Sequence, residues 1–197
     1  MARPKTYLRE EALRSACEAF WKFGYERLGV RALEEETKIN QFALQNDFGG
    51  KENLFLEALQ LYVDETEKNL LKPIREGCID QIEFCFESLA NPKTQATSKW
   101  GCMVVNAGVD NASLNNPKIS EISVNYWLLL ESAFYKALKS SQRHNDIGQD
   151  VNLRQSAKAL VVAAMGIHAS NRINNSLTAG NPLAEVMCST ISSWRVG

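Results

Sequence analysis

Apolar residues recur at spacings of three and four along nearly all of this 197-residue chain, and the two-residue alternation of a half-buried strand is nearly absent. Such patterning dictates an all-α fold, and the punctuation divides it. Leu8, Ala12, Leu13, Ala16, Cys17, Ala19, Phe20 and Phe23 mark a first helix, with Thr6 as its expected N-cap and Gly24 ending it by its access to positive φ. Leu54, Phe55, Ala58, Leu59, Tyr62 and Val63 mark a helix from Lys51 to about Leu71, and Pro73 is expected to limit its tail. Ile79, Ile82, Phe86 and Leu89 predict a helix over Ile79–Ala90, followed by a polar loop to Lys99, a short apolar segment Trp100–Val109 and a loop over Asp110–Asn116. Asn116-Pro117 reads as an N-cap with proline at the first helical position, opening a long helix through Tyr126, Leu130 and Ala137. A linker is expected over Ser140–Gln149, then a helix from about Asn152 to Ile173 and a last one begun by Asn181-Pro182. The total is about nine helices, a small unit over residues 1–50 and a larger helical body over 51–197.

Within the small unit, Gly24 to Glu52 reads as two short helices joined by a tight turn. Asn40 is a natural N-cap for the second, which spans only about two turns. Leu44 and Phe48, four apart, can pack inward against Val30, Leu33 and Ile39. Gln41, Phe42, Ala43, Gln45 and Asn46 are then left on or near the outer face. Amides can hold adenine edges bidentately, and an aromatic or methyl group can touch a thymine methyl, so this face suits a DNA major groove. Lys51 opens the following helix, where its ammonium and the free helix-start amides could meet a phosphate.

Charge restricts that reading. The net charge is −1, and residues 1–55 hold nine Lys/Arg against nine Asp/Glu, so any DNA contact must be local and oriented rather than a general polyelectrolyte attraction. Arg3 and Lys5 form a basic N-terminal arm, while Glu34, Glu35 and Glu36 cluster on the first helix of the motif. No apolar run has membrane-spanning length, Met1 to Lys5 does not begin a signal peptide, and five cysteines without a CxxC pair suit a reducing cytoplasm.

The organisation resembles the TetR family of bacterial transcriptional regulators over nearly the whole chain. The matching segments are Phe23-Gly24-Tyr25, Val30-Arg31, Lys38-Ile39-Asn40 and Phe48-Gly49-Gly50-Lys51-Glu52-Asn53-Leu54. Trp100 to Ala107, WGCMVVNA, is similar to a motif that opens the sixth helix in one branch of that family. The resemblance implies a three-helix DNA-reading unit, a helical body that binds a small-molecule effector, and a homodimer paired through the last two long helices on a palindromic operator. It also places Arg31 among the DNA-contacting residues. Departures are Lys38 in place of a glycine, Glu34 in place of a small residue, Gly29 in place of a hydroxyl N-cap, and Gln45 in place of a tyrosine.

Within the body, Phe86, Trp100, Cys102, Tyr126, Trp127, Phe134 and His168 are candidates for lining an effector pocket, though aromatics at helical spacing also make ordinary core. Cys102 is either a small packed thiol or, near a helix start, a redox or electrophile sensor. Cys17, Cys78, Cys85 and Cys188 read as core. With only His144 and His168 and no Cys/His spacing, neither metal nor cofactor is expected. Leu160, Val161, Ala164, Met165 and Ile167 are expected to supply the self-association face. A cysteine enzyme built on Cys102 would need a base, and no phosphate-binding glycine loop is present. A protein-binding adaptor that has lost strong DNA binding is the other alternative.

Overall fold

The computed structural model describes residues 8–94 and 98–196. Nine helices account for almost all of them: α1 (Arg9–Phe23), α2 (Val30–Thr37), α3 (Gln41–Phe48), α4, α5 (Ile79–Ala90), α6 (Met103–Leu114), α7 (Pro117–Arg143), α8 (Leu153–Ile173) and α9 (Asn181–Ser193). Helix α4 is continuous through three segments: α-helical Lys51–Thr66, π-helical Glu67–Leu71 and α-helical Lys72–Glu76. The described residues contain no strand, only an isolated bridge between Ile147 and Arg195.

Pro73 therefore does not end α4. A proline lacks an N–H and its ring collides with the carbonyl four residues back, here that of Asn69. Asn69 lies in the π-helical stretch, whose wider turn accommodates the ring. Two expected loops also begin later than the sequence suggests. α6 continues to Leu114, because Asn115 closes it in the left-handed region at φ 52°. Asn111, buried on its last turn, uses its whole amide: Nδ2 donates to Asn116 O and Ser120 Oγ, and Oδ1 accepts from Asn116 N. α7 continues to Arg143, with Ser141 donating to Ala137 O and accepting from Ile79 N at the start of α5. Polarity at these positions reflects buried hydrogen bonding rather than loop.

Helix starts follow the caps with two exceptions. Asn40, Asn116 and Asn152 accept from backbone amides of the helices they precede. α1 begins at Arg9 with Leu8 at its N-cap position, and Thr6 lies outside the described residues. Asn181 is not a cap: Gly180 holds that position, and Asn181 Nδ2 reaches across to Ala90 O at the end of α5. Gly180 is required by proximity, since a Cβ there would come within 2.8 Å of the α8 backbone at Ile167.

α1 packs along α4 through Phe20, Phe55 and Tyr25, with Phe20–Phe55 and Tyr25–Phe55 centroids both 5.0 Å apart. Arg9 adds an ion pair to Glu57 and lies over the Phe48 ring, fixing the start of α1 against α3 and α4. The small unit is also joined directly to the body. The Arg172 guanidinium of α8 donates to the carbonyls of Trp21 (3.2 Å) and Trp100 (2.8 Å), while Trp21 Nε1 donates to Gly101 O (2.9 Å). A cation thus meets the unpaired carbonyl end of α1, where the helix dipole favours it.

The apolar residues of α8 expected to mediate self-association instead fill the interior. Leu160, Val161, Ala164, Met165 and Ile167 are all buried within the chain. The outward residues are Val162 and Ile173 on α8 and Leu183 and Val186 on α9. Helical periodicity gave the stripe correctly but not which neighbour it faces.

Candidate DNA interface and interior cavity

α3 is an eight-residue helix whose start is fixed by Asn40 Oδ1 accepting from Ala43 N at 2.8 Å. Its end is fixed by Gly49 at φ 73°, whose amide returns to Gln45 O, while Gly50 N returns to Leu44 O. Leu44 and Phe48 are buried with Leu33 and Ile39, whereas Val30 sits at the margin, 36% exposed. Opposite them, Gln41, Phe42, Gln45 and Asn46 are exposed and Ala43 half-buried. Phe42 is 78% exposed, a large apolar cost in water for a residue with no packing role. Asn46 folds back, its Nδ2 donating to Phe42 O at 2.8 Å, so its amide must rotate before it can meet a base.

Lys51 is the first residue of α4, and Gly50 before it supplies no side-chain cap. Its ammonium lies 4.3 Å from the centre of the Tyr25 ring, and partial burial lowers its pKa despite the opposing charge of Glu26. The open helix start and the lysine share one edge of the unit with α3. Arg31 is exposed in the first turn of α2, behind the uncapped Gly29. Lys38 takes the left-handed conformation at φ 60° that a glycine would hold freely, with Nζ donating to Glu35 O. Glu34, Glu35 and Glu36 are all exposed. Arg3 and Lys5 lie outside the described residues.

The body encloses a cavity of about 700 Å³ between α1, α4, α5, α7 and α8. Tyr126, Phe134 and His168 of the seven candidates line it. Phe86 does not: it is fully buried, 6.2 Å from Phe134 ring to ring. Trp100 stands behind the wall, edge-on to Trp21 at 5.5 Å. Trp127 is 38% exposed and outside the lining. Cys102 is also outside the lining, its Sγ 3.9 Å from Tyr126 Oη. Burial raises the Cys102 thiol pKa against the lowering effect of nearby amides and tyrosines, which is the opposite of what a nucleophile or thiolate sensor requires. Burial likewise pushes the Tyr62 and Tyr126 hydroxyls up, and pushes His168 down to about 4, leaving a neutral imidazole. Cys17, Cys85 and Cys102 are buried; Cys78 and Cys188 are half-buried, Cys78 standing at the N-cap of α5 rather than in the core. Among the described residues, no group of three or more His, Cys, Asp or Glu is placed to hold a metal, and no helix is long and apolar enough to cross a membrane.

Residues 12–58 match the family model described as "Bacterial regulatory proteins, tetR family". Over 98% of its length the chain is 26% identical to the HTH-type transcriptional repressor ComR of Escherichia coli K12, covering 91% of that protein. These matches support a TetR-family regulator. The HTH-type transcriptional repressor AcnR of Corynebacterium glutamicum is 47% identical over 82 residues, which are 40% of this chain and 44% of AcnR. The TetR fold is shared with a TetR-family regulator from Cytophaga hutchinsonii at TM-score 0.83 and 14% identity, over 96% of this chain and 95% of that one. It is shared too with a cysteine mutant of CifR in complex with 26-base-pair operator DNA, at TM-score 0.77 and 21% identity, over 98% of this chain and 100% of that one. The protein is a TetR-type transcriptional regulator of a DNA-binding repressor family, and its named relatives are repressors rather than enzymes.

In this TetR-type frame the cavity wall also includes residues that the sequence reading passed over: Cys17 and Trp21 of α1, Tyr62, Glu65 and Thr66 of α4, and Ser88 of α5. One signal was available. Glu65, Thr66 and Asn69 interrupt the apolar side of α4 just ahead of Pro73, where a plain packing helix would have continued apolar.

Proposed function

We propose that this protein is a homodimeric, effector-responsive repressor that binds a palindromic operator through α3, with residues 1–50 as its DNA-reading unit and 51–197 as its ligand-binding and dimerisation body. The exposed face of α3 carries the reading: a capped two-turn helix presenting Gln41, Phe42, Gln45 and Asn46 to solvent has a shape and chemistry fitted to base edges. Ala43 adds a methyl group beside them. Lys51 and Arg31 contact phosphates, and Arg3 and Lys5 follow as a basic arm. The dimer pairs α8 and α9 of two subunits over Val162, Leu183 and Val186, which single-chain packing leaves exposed. The protein works in the cytoplasm.

The effector occupies the interior cavity, whose wall includes Trp21 of α1 and the stretch of α4 from Leu61 to Ile74, about four turns, in the helix that leads to the DNA-reading unit. A ligand that fits one inclination of α4 better than another shifts the separation of the two α3 helices by its differential affinity. Selection of genomic fragments on the purified protein, followed by footprinting, tests this proposal. An enriched two-fold-symmetric sequence protected on one DNA face is expected. Failure to enrich any palindrome would refute operator binding and favour the adaptor reading.

A further inference from the structure

The cavity has a charge pattern that selects among ligands. Arg14 is its one cationic residue among the described residues, and an ion pair with Glu65 already neutralises it. Glu18 adds a second carboxylate at the same rim. Polar groups deeper in include the tyrosine hydroxyls of Tyr62 and Tyr126, and His168, whose Nδ1 is buried without a hydrogen-bond partner. Thr66, Asn69, Gln81, Ser88 and Ser98 add neutral polar groups, and the larger remainder of the wall is apolar, including Leu61, Leu130 and Met165. An anion entering this space would lose its hydration and meet two carboxylates with no free cation to answer it, a cost that ordinary apolar contact does not offset. A buried imidazole with an unpaired nitrogen gains from a ligand that supplies a hydrogen bond, because the unmet group is what costs free energy.

We infer that the effector is an uncharged, mostly apolar molecule bearing a hydrogen-bonding group that meets the His168 imidazole, and that the cavity rejects anions of the same shape. This inference rests on the reading of the cavity as the effector site. Its volume lies within the roughly 300–1,000 Å³ of sites that enclose small-molecule ligands. Neutrality of His168 agrees with it, since burial holds the imidazole pKa near 4 and so removes the second source of positive charge.

A matched pair of fluorescent probes tests the selection on the intact protein: the arylamine N-phenyl-1-naphthylamine, and anilinonaphthalene sulfonate, which adds one anionic group to the same frame. The amine is expected to bind once per chain, at least about tenfold more tightly than the sulfonate, which corresponds to about 1.4 kcal/mol. His168→Leu should weaken the amine several-fold. Glu65→Gln, at an exposed rim position, frees the Arg14 charge and should narrow the gap by strengthening the sulfonate. Equal or tighter binding of the sulfonate by the natural protein overturns the inference, as does an unchanged amine affinity in His168→Leu or no binding of either probe. Whether a bound probe also releases DNA is read separately. Selective binding without release would sink the effector reading while leaving the cavity's preference standing.

Discussion

Asn40→Ala removes the hydrogen bond that starts α3, and on the proposed function its effects should appear in both stability and DNA binding. The bond from Ala43 N to Asn40 Oδ1 is 2.8 Å long, and α3 has only eight residues, so fraying of its first turn affects a large share of the helix. Loss of an asparagine cap costs about 1 kcal/mol, within roughly 0.5–2. For a chain of this length, about 1 kcal/mol lowers the melting temperature by roughly 2–4 °C, measured calorimetrically at fixed protein concentration. Asn40→Gly should lose only a few tenths of a kcal/mol, because glycine retains much of the cap tendency. Asn40→Asp separates the two roles of the site. An aspartate still accepts from Ala43 N and complements the helix dipole, so stability should hold, while its negative charge beside the DNA backbone should weaken operator binding. A melting temperature for Asn40→Ala within half a degree, on the order of a tenth of a kcal/mol or less, would show that neighbouring contacts rather than the cap hold α3 in place.

Lys51→Ala should weaken binding to all DNA sequences alike and lower the salt slope by about one counterion; unchanged affinity and slope in titrations at several salt concentrations would remove α4 from the phosphate backbone. Val186→Asp should convert a dimer to a 22.1 kDa monomer in sedimentation, and a natural protein that already sediments as a monomer at micromolar concentration contradicts the α8–α9 pairing. Acid should destabilise the fold through His168: the unfolded ring takes a proton near pH 6.5, the folded one only near 4, so stability falls as pH drops through that window. His168→Leu should flatten that part of the melting-temperature profile, and an unaltered profile would contradict burial as the cause. A disulfide reagent should modify Cys78 and Cys188 in the native state but leave Cys102 untouched until unfolding, and mild alkylation should not release DNA; release that Cys102→Ser abolishes would restore the sensor reading.

The number and order of the helices were legible because apolar spacing and capping are local properties. Asn40, Gly49 and Asn116 each act within four residues of themselves, and the helices begin or end where those side chains require. The exposed face of α3 was legible for the same reason, as the complement of Leu44 and Phe48. Position in space relative to distant segments was not. Leu160 and Ile167 show the same periodicity whether a partner subunit or the chain's own α7 and α9 covers them, and only the packed structure distinguishes the two. Trp127 and Tyr126 are adjacent in sequence yet fall on opposite sides of the wall, since a helix turns about 100° per residue. The extension of α4 past Pro73 was hidden because π-helical widening leaves no compositional mark.

Arg172 gives the chain a temporal constraint as well as a spatial one. The carbonyl of Trp21 is fixed by a guanidinium 151 residues further along. At ribosomal rates of roughly 5–20 residues per second, the first helix emerges on the order of 10 s before its partner has been synthesised. During that interval α1 to α3 can fold on α4, and Trp21 can already meet Gly101 and Trp100, but the guanidinium that holds the Trp21 and Trp100 carbonyls together is still to come. Completion of α8 supplies it. The newly made chain therefore completes its first helices and the full joint between them and the body at separate moments, and a chain cut short before residue 172 would lack the Arg172 part of that joint.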